Sequence, residues 1–215
     1  MFAQWCVKGI RGRNPEDVTR DGLTPDEAIS IVRDGRGILC NWWRNVGTIS
    51  PEERRQRLTA ANLDLHINNY SSVVQTTPFI SLAAGCVERD VFYRTNRIHM
   101  AEDTALAFAT DNGSRFGFLF YCWVIVGLKP AVSIESVAEE VRELNSYRSW
   151  STFQLEGELT AKIQVHANHI ERVEWWEPVG GGQVQRRRAP PSWNPAYVNP
   201  RFDPPSQISN IRELF

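Results

Sequence analysis

Two carboxylates, Glu156 and Glu158, stand two residues apart in the run Phe153-Gln154-Leu155-Glu156-Gly157-Glu158-Leu159-Thr160-Ala161. If this run is a strand, side chains at i and i+2 point the same way. Two like charges held that close raise the cost of ionising both, so one group can stay ionised while the other takes a raised pKa. That is an arrangement for proton transfer or for stabilising a cationic centre. The plain alternative is a solvated edge strand with both glutamates in water. The neighbouring sequence decides between them by the partners it offers.

Four further stretches offer such partners. Downstream, Val165 and Ile170 are apolar anchors within the segment from Ala161 to Val173. Near the start, Arg13-Asn14-Pro15-Glu16-Asp17-Val18 is followed by Gly22-Leu23-Thr24. Between the two ends lie Asn62-Leu63-Asp64-Leu65-His66 and Pro78-Phe79-Ile80-Ser81. In their types and order these segments resemble the cholera-type and pertussis-type mono-ADP-ribosyltransferases. Those proteins carry an Arg-x-Pro-Glu-acid run after the first strand, an Asn-x-x-x-His helix and a Ser-Thr-Ser strand. They end on a Glu-x-Glu or Gln-x-Glu pair ahead of two apolar anchors. The matched segments span roughly residues 5 to 176, with unmatched insertions between Thr24 and Asn62 and after Ser81.

The resemblance implies an α+β domain of two packed, mainly antiparallel sheets flanked by helices around an NAD+ cleft, with NAD+ as a substrate. It implies that Glu158 faces the ribosyl oxocarbenium ion, that Ser81 holds Glu158 or the nicotinamide ribose, and that His66 orients the ribose or the serine. Glu156 would act as base toward an acceptor, and a glutamate there goes with an arginine acceptor on a protein. Tyr147, Trp150 and Gln154 would lie in the loop that faces the target. The family's first-strand arginine precedes the motif proline by six residues, which lands here on Gly9. Arg11 takes the role if the loop is two residues shorter. Lys8 is the weaker candidate, because a point charge cannot make a bidentate fork. The serine motif reads Ser81-Leu82-Ala83, keeping the first serine alone. Gln154-Leu155-Glu156 is itself a Gln-x-Glu triplet, but the distance to Val165 and Ile170 favours Glu158 as the catalytic residue. Other outcomes within the resemblance are a nucleobase or glutamine acceptor, NAD+ hydrolysis, or a degenerate interaction module of the same fold. A toxin or effector setting would add a macromolecular acceptor and an antidote or delivery protein.

Composition sets the frame. A chain of 215 residues can bury about 70 % of its unfolded surface in one core. With 24 basic and 25 acidic residues the net charge is −1, so there is no global electrostatic footprint for nucleic acid or an anionic membrane. The N-terminus lacks a basic n-region and a long apolar stretch, and no window reaches membrane-span length. The expectation is a cytoplasmic location or export by a signal-independent route. The cysteines Cys6, Cys40, Cys86 and Cys122 have no zinc-like spacing and read as core thiols.

The elements that must position these groups follow from local signals. Trp5 to Ile10 reads as a first strand, and Phe116 to Val126, long and apolar, as a buried central one. Thr24-Pro25-Asp26-Glu27 and Ser50-Pro51-Glu52-Glu53 are capping boxes with proline in the first turn. The second should open a helix that turns Leu58, Ala61 and Leu65 inward and delivers His66. Phe79 to Ala83 is a strand, and Ala101 to Thr110 a small-residue helix. Residues 133 to 144 carry apolar residues at helical spacing from Ile134 to Leu144. Gly180-Gly181-Gly182 predicts a hairpin. Residues 1–188 form the catalytic domain in this reading. Residues 189–215, rich in proline and aromatics, form an extension wrapped on its surface.

Overall fold

The computed structural model of the protein describes residues 1–17, 21–90, 95–141, 157–186, 196–205 and 210–211. Its spine is β1 (Phe2–Arg11), paired antiparallel along its whole length with β6 (Gly117–Val126), from Phe2 opposite Val126 to Arg11 opposite Gly117. On the far side of β6 lies β10 (Ile170–Gly180), which turns through glycines into β11 (Gln183–Arg186). Gly180, Gly181 and Gly182 all have positive φ, a conformation that costs other residues but not glycine, so the expected hairpin forms here.

On its other side β1 meets β3 (Phe79–Ala83) at one registered pair, Val7 with Ala83. β3 pairs along its length with β8 (Glu158–Lys162), and β8 with the short β7 (Glu139–Glu140). One hydrogen-bonded path therefore runs β11-β10-β6-β1-β3-β8-β7, hinged where β1 and β3 share that single pair. Its two arms share a core: Phe118, Phe120 and Cys122 from one pack in the same cluster as Phe79, Leu82 and Leu159 from the other. This is the α+β, mainly antiparallel architecture the sequence predicts.

Helix α1 (Pro25–Arg33) starts at the expected capping box of Thr24 and Glu27. In α6 (Ala101–Thr110) the small residues have a packing reason. A Cβ on Gly9 would strike the Ala105 carbonyl oxygen, and one on Gly117 would strike that of Ala109. The helix thus lies directly on the glycines of β1 and β6.

Two expectations are corrected. The helix opened at Ser50 is two helices: α3 (Pro51–Arg57) ends at Leu58, and the Thr59 hydroxyl accepts from the Asn62 amide to start α4 (Ala60–Asn68). The break resets the helical phase, so Leu63, His66 and Ile67 are buried while Ala61 and Leu65 are exposed. The helical spacing from Ile134 does not give a helix at residues 139 and 140, which form β7. There Glu139 pairs opposite Thr160, and its carboxylate meets Lys162 Nζ at 2.7 Å, both side chains being buried. Lys162 Nζ also donates to the carbonyls of Ala131 (2.6 Å) and Ile134 (3.0 Å). Tertiary pairing overrides a helical pattern here. Leu144 lies outside the described residues.

Local signals missed α2 (Asn41–Val46), α5 (Tyr70–Val73) and the pairing of β2 (Ile38–Leu39) with β9 (Gln164–Val165). They also missed the hairpin of β4 (Cys86–Asp90) and β5 (Thr95–His99). The described parts of the C-terminal extension join the main sheet: β12 (Tyr197–Val198) pairs with β10 and β13 (Asn210–Ile211) with β1. Asn199 Nδ2 donates to the Ala167 and Ile170 carbonyls, each at 2.8 Å, and Phe202 packs on Trp5. Trp193 lies outside the described residues. Cys6 and Cys122 face each other as buried thiols, Sγ to Sγ 3.6 Å. Among the described residues no helix is long and apolar enough to cross a membrane.

Candidate active site

Glu158 is the first residue of β8, and its position is set by the glycine before it. Gly157 has φ +58, and a Cβ there would sit 2.5 Å from the Gly85 backbone. Its carbonyl accepts from the Ala84 amide at 2.8 Å. The entry of β8 is thus pressed against the exit of β3, which holds Glu158 opposite Ala83 and Thr160 opposite Ser81. The Glu158 carboxylate accepts from Thr160 Oγ1 at 3.3 Å and from the Ser81 hydroxyl.

His66 reaches this pair from α4. Its Nε2 lies 3.0 Å from Ser81 Oγ and 3.9 Å from Glu158 Oε1, and its Nδ1 lies 2.8 Å from Thr77 Oγ1. The hydrogen-bond network assigns the tautomer. Burial, with the Lys8 charge added to it, pushes the His66 pKa down to about 3, so the ring is neutral at pH 7. Ser81 gives its proton to Glu158 and must accept from His66, so Nε2 carries the hydrogen. Nδ1 then accepts from Thr77, whose oxygen accepts in turn from the Phe79 amide at 3.2 Å. The result is a directed chain of donors, from Thr77 through His66 and Ser81 to the carboxylate.

Burial pushes the Glu158 pKa up, while the Ser81 hydrogen bond, the Lys8 charge and the Thr160 hydrogen bond pull it down. Lys8 is half-buried on β1, where β1 and β3 part on either side of their single pair. Its own pKa is lowered by burial and raised by Glu158. Above the site stands Tyr70, whose ring meets that of His66 edge-on at 5.4 Å and whose hydroxyl accepts from Asn41 Nδ2 at 3.1 Å.

The structure brings Glu158, Ser81 and His66 together and adds Lys8, Thr160, Thr77 and Tyr70. It does not bring Arg11 to them. Arg11 ends β1, three residues or about 10 Å beyond Lys8, exposed and facing Asp21 at 3.4 Å and Asp111 at 3.8 Å. Counting back from Pro15 gives Gly9, where the Ala105 carbonyl of α6 leaves no room for a side chain. Glu156, Tyr147, Trp150 and Gln154 lie outside the described residues. Val165 and Ile170 are buried as anchors, 2 % and 0 % exposed. A surface depression of about 510 Å³, lined by Gly12, Asn14, Arg115 and Glu177 among others, contains none of the site groups. Of the partners the sequence did not single out, Thr160 had a readable signal, two residues from Glu158 on the same strand. Thr77 and Tyr70 depend on how α4 and α5 meet β3, which no spacing encodes.

No protein-family model matches the chain, and no curated protein matches it in sequence. Solved structures align with it at low identity, and the three that follow cover nearly all of it, each at 12 % identity. A point mutant of heat-labile enterotoxin, described for the flexibility of an active-site loop of its A subunit, aligns with 96 % of this chain and 82 % of that chain at TM-score 0.45. EcPltA aligns over 99 % and 97 % at 0.42. The catalytic domain of the mosquitocidal toxin from Bacillus sphaericus aligns over 97 % and 64 % at 0.42.

Proposed function

We propose that the chain is an NAD+-dependent mono-ADP-ribosyltransferase. The observation that carries the reading is the buried carboxylate of Glu158, held by Ser81 and Thr160 with neutral His66 behind the serine and the Lys8 ammonium nearby. Cleavage of the bond between nicotinamide and ribose sends the bonding electrons to the nicotinamide ring and leaves positive charge on the ribosyl carbon. An oriented carboxylate in a water-poor site stabilises that charge, as in glycoside hydrolysis. Ser81 and His66 keep the carboxylate from rotating away, and Lys8 favours its ionised form and attracts the dinucleotide's phosphates. The acceptor in this proposal is an arginine on a protein, with Glu156 as the base that frees a guanidinium nitrogen, which is otherwise protonated. A toxin or effector setting is part of the same proposal.

The test is release of nicotinamide from NAD+ by the purified chain, compared with Glu158→Gln, which keeps the shape and removes the charge. A loss of at least about a hundredfold is expected for a preorganised electrostatic contribution of this kind. Wild-type turnover in the variant would remove Glu158 from the role. No release and no NAD+ binding by the wild-type chain would favour an interaction module over any enzyme.

A further inference from the structure

α2 is held in place by Asn41, Trp42, Trp43 and Asn45, Trp43 packing partly buried against the core. Trp42 is buried, with the Arg57 guanidinium 4.4 Å from its ring centroid. Asn41 Nδ2 donates to Tyr70 Oη and to the Val74 carbonyl at 2.7 Å, and Asn45 Nδ2 donates to the Gln75 carbonyl and side chain, each at 2.7 Å. Arg44 takes no part in this anchoring. It is exposed, and its guanidinium has no hydrogen bond or ion pair among the described residues. It sits three residues after Asn41, hence on the same helix face, and that face meets Tyr70. From Tyr70 the contacts run to His66 and on to Ser81 and Glu158. The Arg44 charge also bears on Tyr70 and on Lys8, where it opposes protonation of the lysine. Lys8 therefore bears on the buried carboxylate and Arg44 bears on Lys8 from the Tyr70 side, with no counter-ion for the outer cation among the described residues.

We infer that Arg44 supplies the planar guanidinium that grips the pyrophosphate of the dinucleotide, a task it shares with Lys8; this rests on the NAD+ reading of the site. β1 cannot perform that task alone. Gly9 is closed off by the Ala105 carbonyl, Arg11 faces Asp21 and Asp111, and Lys8 offers a point charge where a diphosphate is best held by a two-pronged donor. α2 is short and pinned through Asn41, Trp42, Trp43 and Asn45, so the guanidinium is presented from a fixed base.

The test uses the full chain, with ADP-ribose as a probe that carries the pyrophosphate and cannot release nicotinamide. In calorimetry Arg44→Ala should weaken ADP-ribose binding tenfold or more, and Arg44→Lys should recover little of it. Arg55→Ala, which removes an equally exposed guanidinium from α3, should change nothing. In nicotinamide release Arg44→Ala should raise the KM for NAD+ by a similar factor with kcat nearly kept. ADP-ribose binding unchanged by Arg44→Ala, while the wild-type chain still cleaves NAD+, overturns the role of Arg44 and leaves the proposed function standing. A wild-type chain that neither binds ADP-ribose nor cleaves NAD+ overturns both.

Discussion

His66 gives a prediction that does not depend on any substrate. The ring is 3 % exposed, and burial together with Lys8 lowers its pKa to about 3 from the model-compound value of 6.5. A base whose folded pKa is depressed binds its proton more readily in the unfolded chain, so stability falls as pH drops through the unfolded value. The loss accrues between pH 6.5 and 3, at up to about 1.4 kcal/mol per pH unit for one proton. Between pH 7 and pH 5 it comes to about 2 kcal/mol, a large share of a typical domain stability of roughly 5 to 15 kcal/mol. His66→Gln removes the titration while keeping a polar side chain that can reach Ser81. The variant should be less stable at pH 7, having lost the Thr77 partner, but its unfolding free energy from urea titration should fall about 2 kcal/mol less than that of wild type between pH 7 and pH 5. Parallel pH profiles for the two proteins would refute the buried neutral imidazole, and with it the direction of the donor chain to Glu158.

Two further outcomes separate roles that the structure places side by side. Lys8→Met should raise the NAD+ dissociation constant roughly tenfold to a hundredfold by removing a charge-assisted contact, while Arg11→Ala should leave it within about twofold, since exposed pairs contribute little; the opposite ranking in calorimetry would return the phosphate contact to Arg11. Lys162→Met should cost about 3 to 5 kcal/mol in denaturant unfolding by leaving Glu139 buried without its cation, and adding Glu139→Gln should recover part of that; a double variant no more stable than the single one would show that Lys162 acts through the Ala131 and Ile134 carbonyls instead.

What could be read from sequence and what could not divides along a physical line. Capping boxes, the three-glycine turn and the small-residue helix are local, because each motif supplies its own hydrogen bonds or steric fit, and each forms where predicted. His66, Ser81 and Glu158 also converge, because α4 packs its buried face where β3 pairs with β8. The errors arise where a side chain's direction depends on backbone regularity that neighbours interrupt. A pause at Leu58 and Thr59 rotates α4 and turns Leu65 outward, and the buried Lys162–Glu139 pair draws an apparently helical segment into β7. The cation is the sharpest case. A motif count assigns it to one position on β1, whereas the proposed role asks only for positive charge at a point in space. Gly9 is committed to α6, so in the proposed function that charge is assigned to Lys8 beside it and Arg44 on α2. A residue three places from the partner of a tyrosine hydrogen bond, on a helix the sequence did not announce, is invisible to counting. It becomes visible only when the packing that forbids a side chain at Gly9 is known.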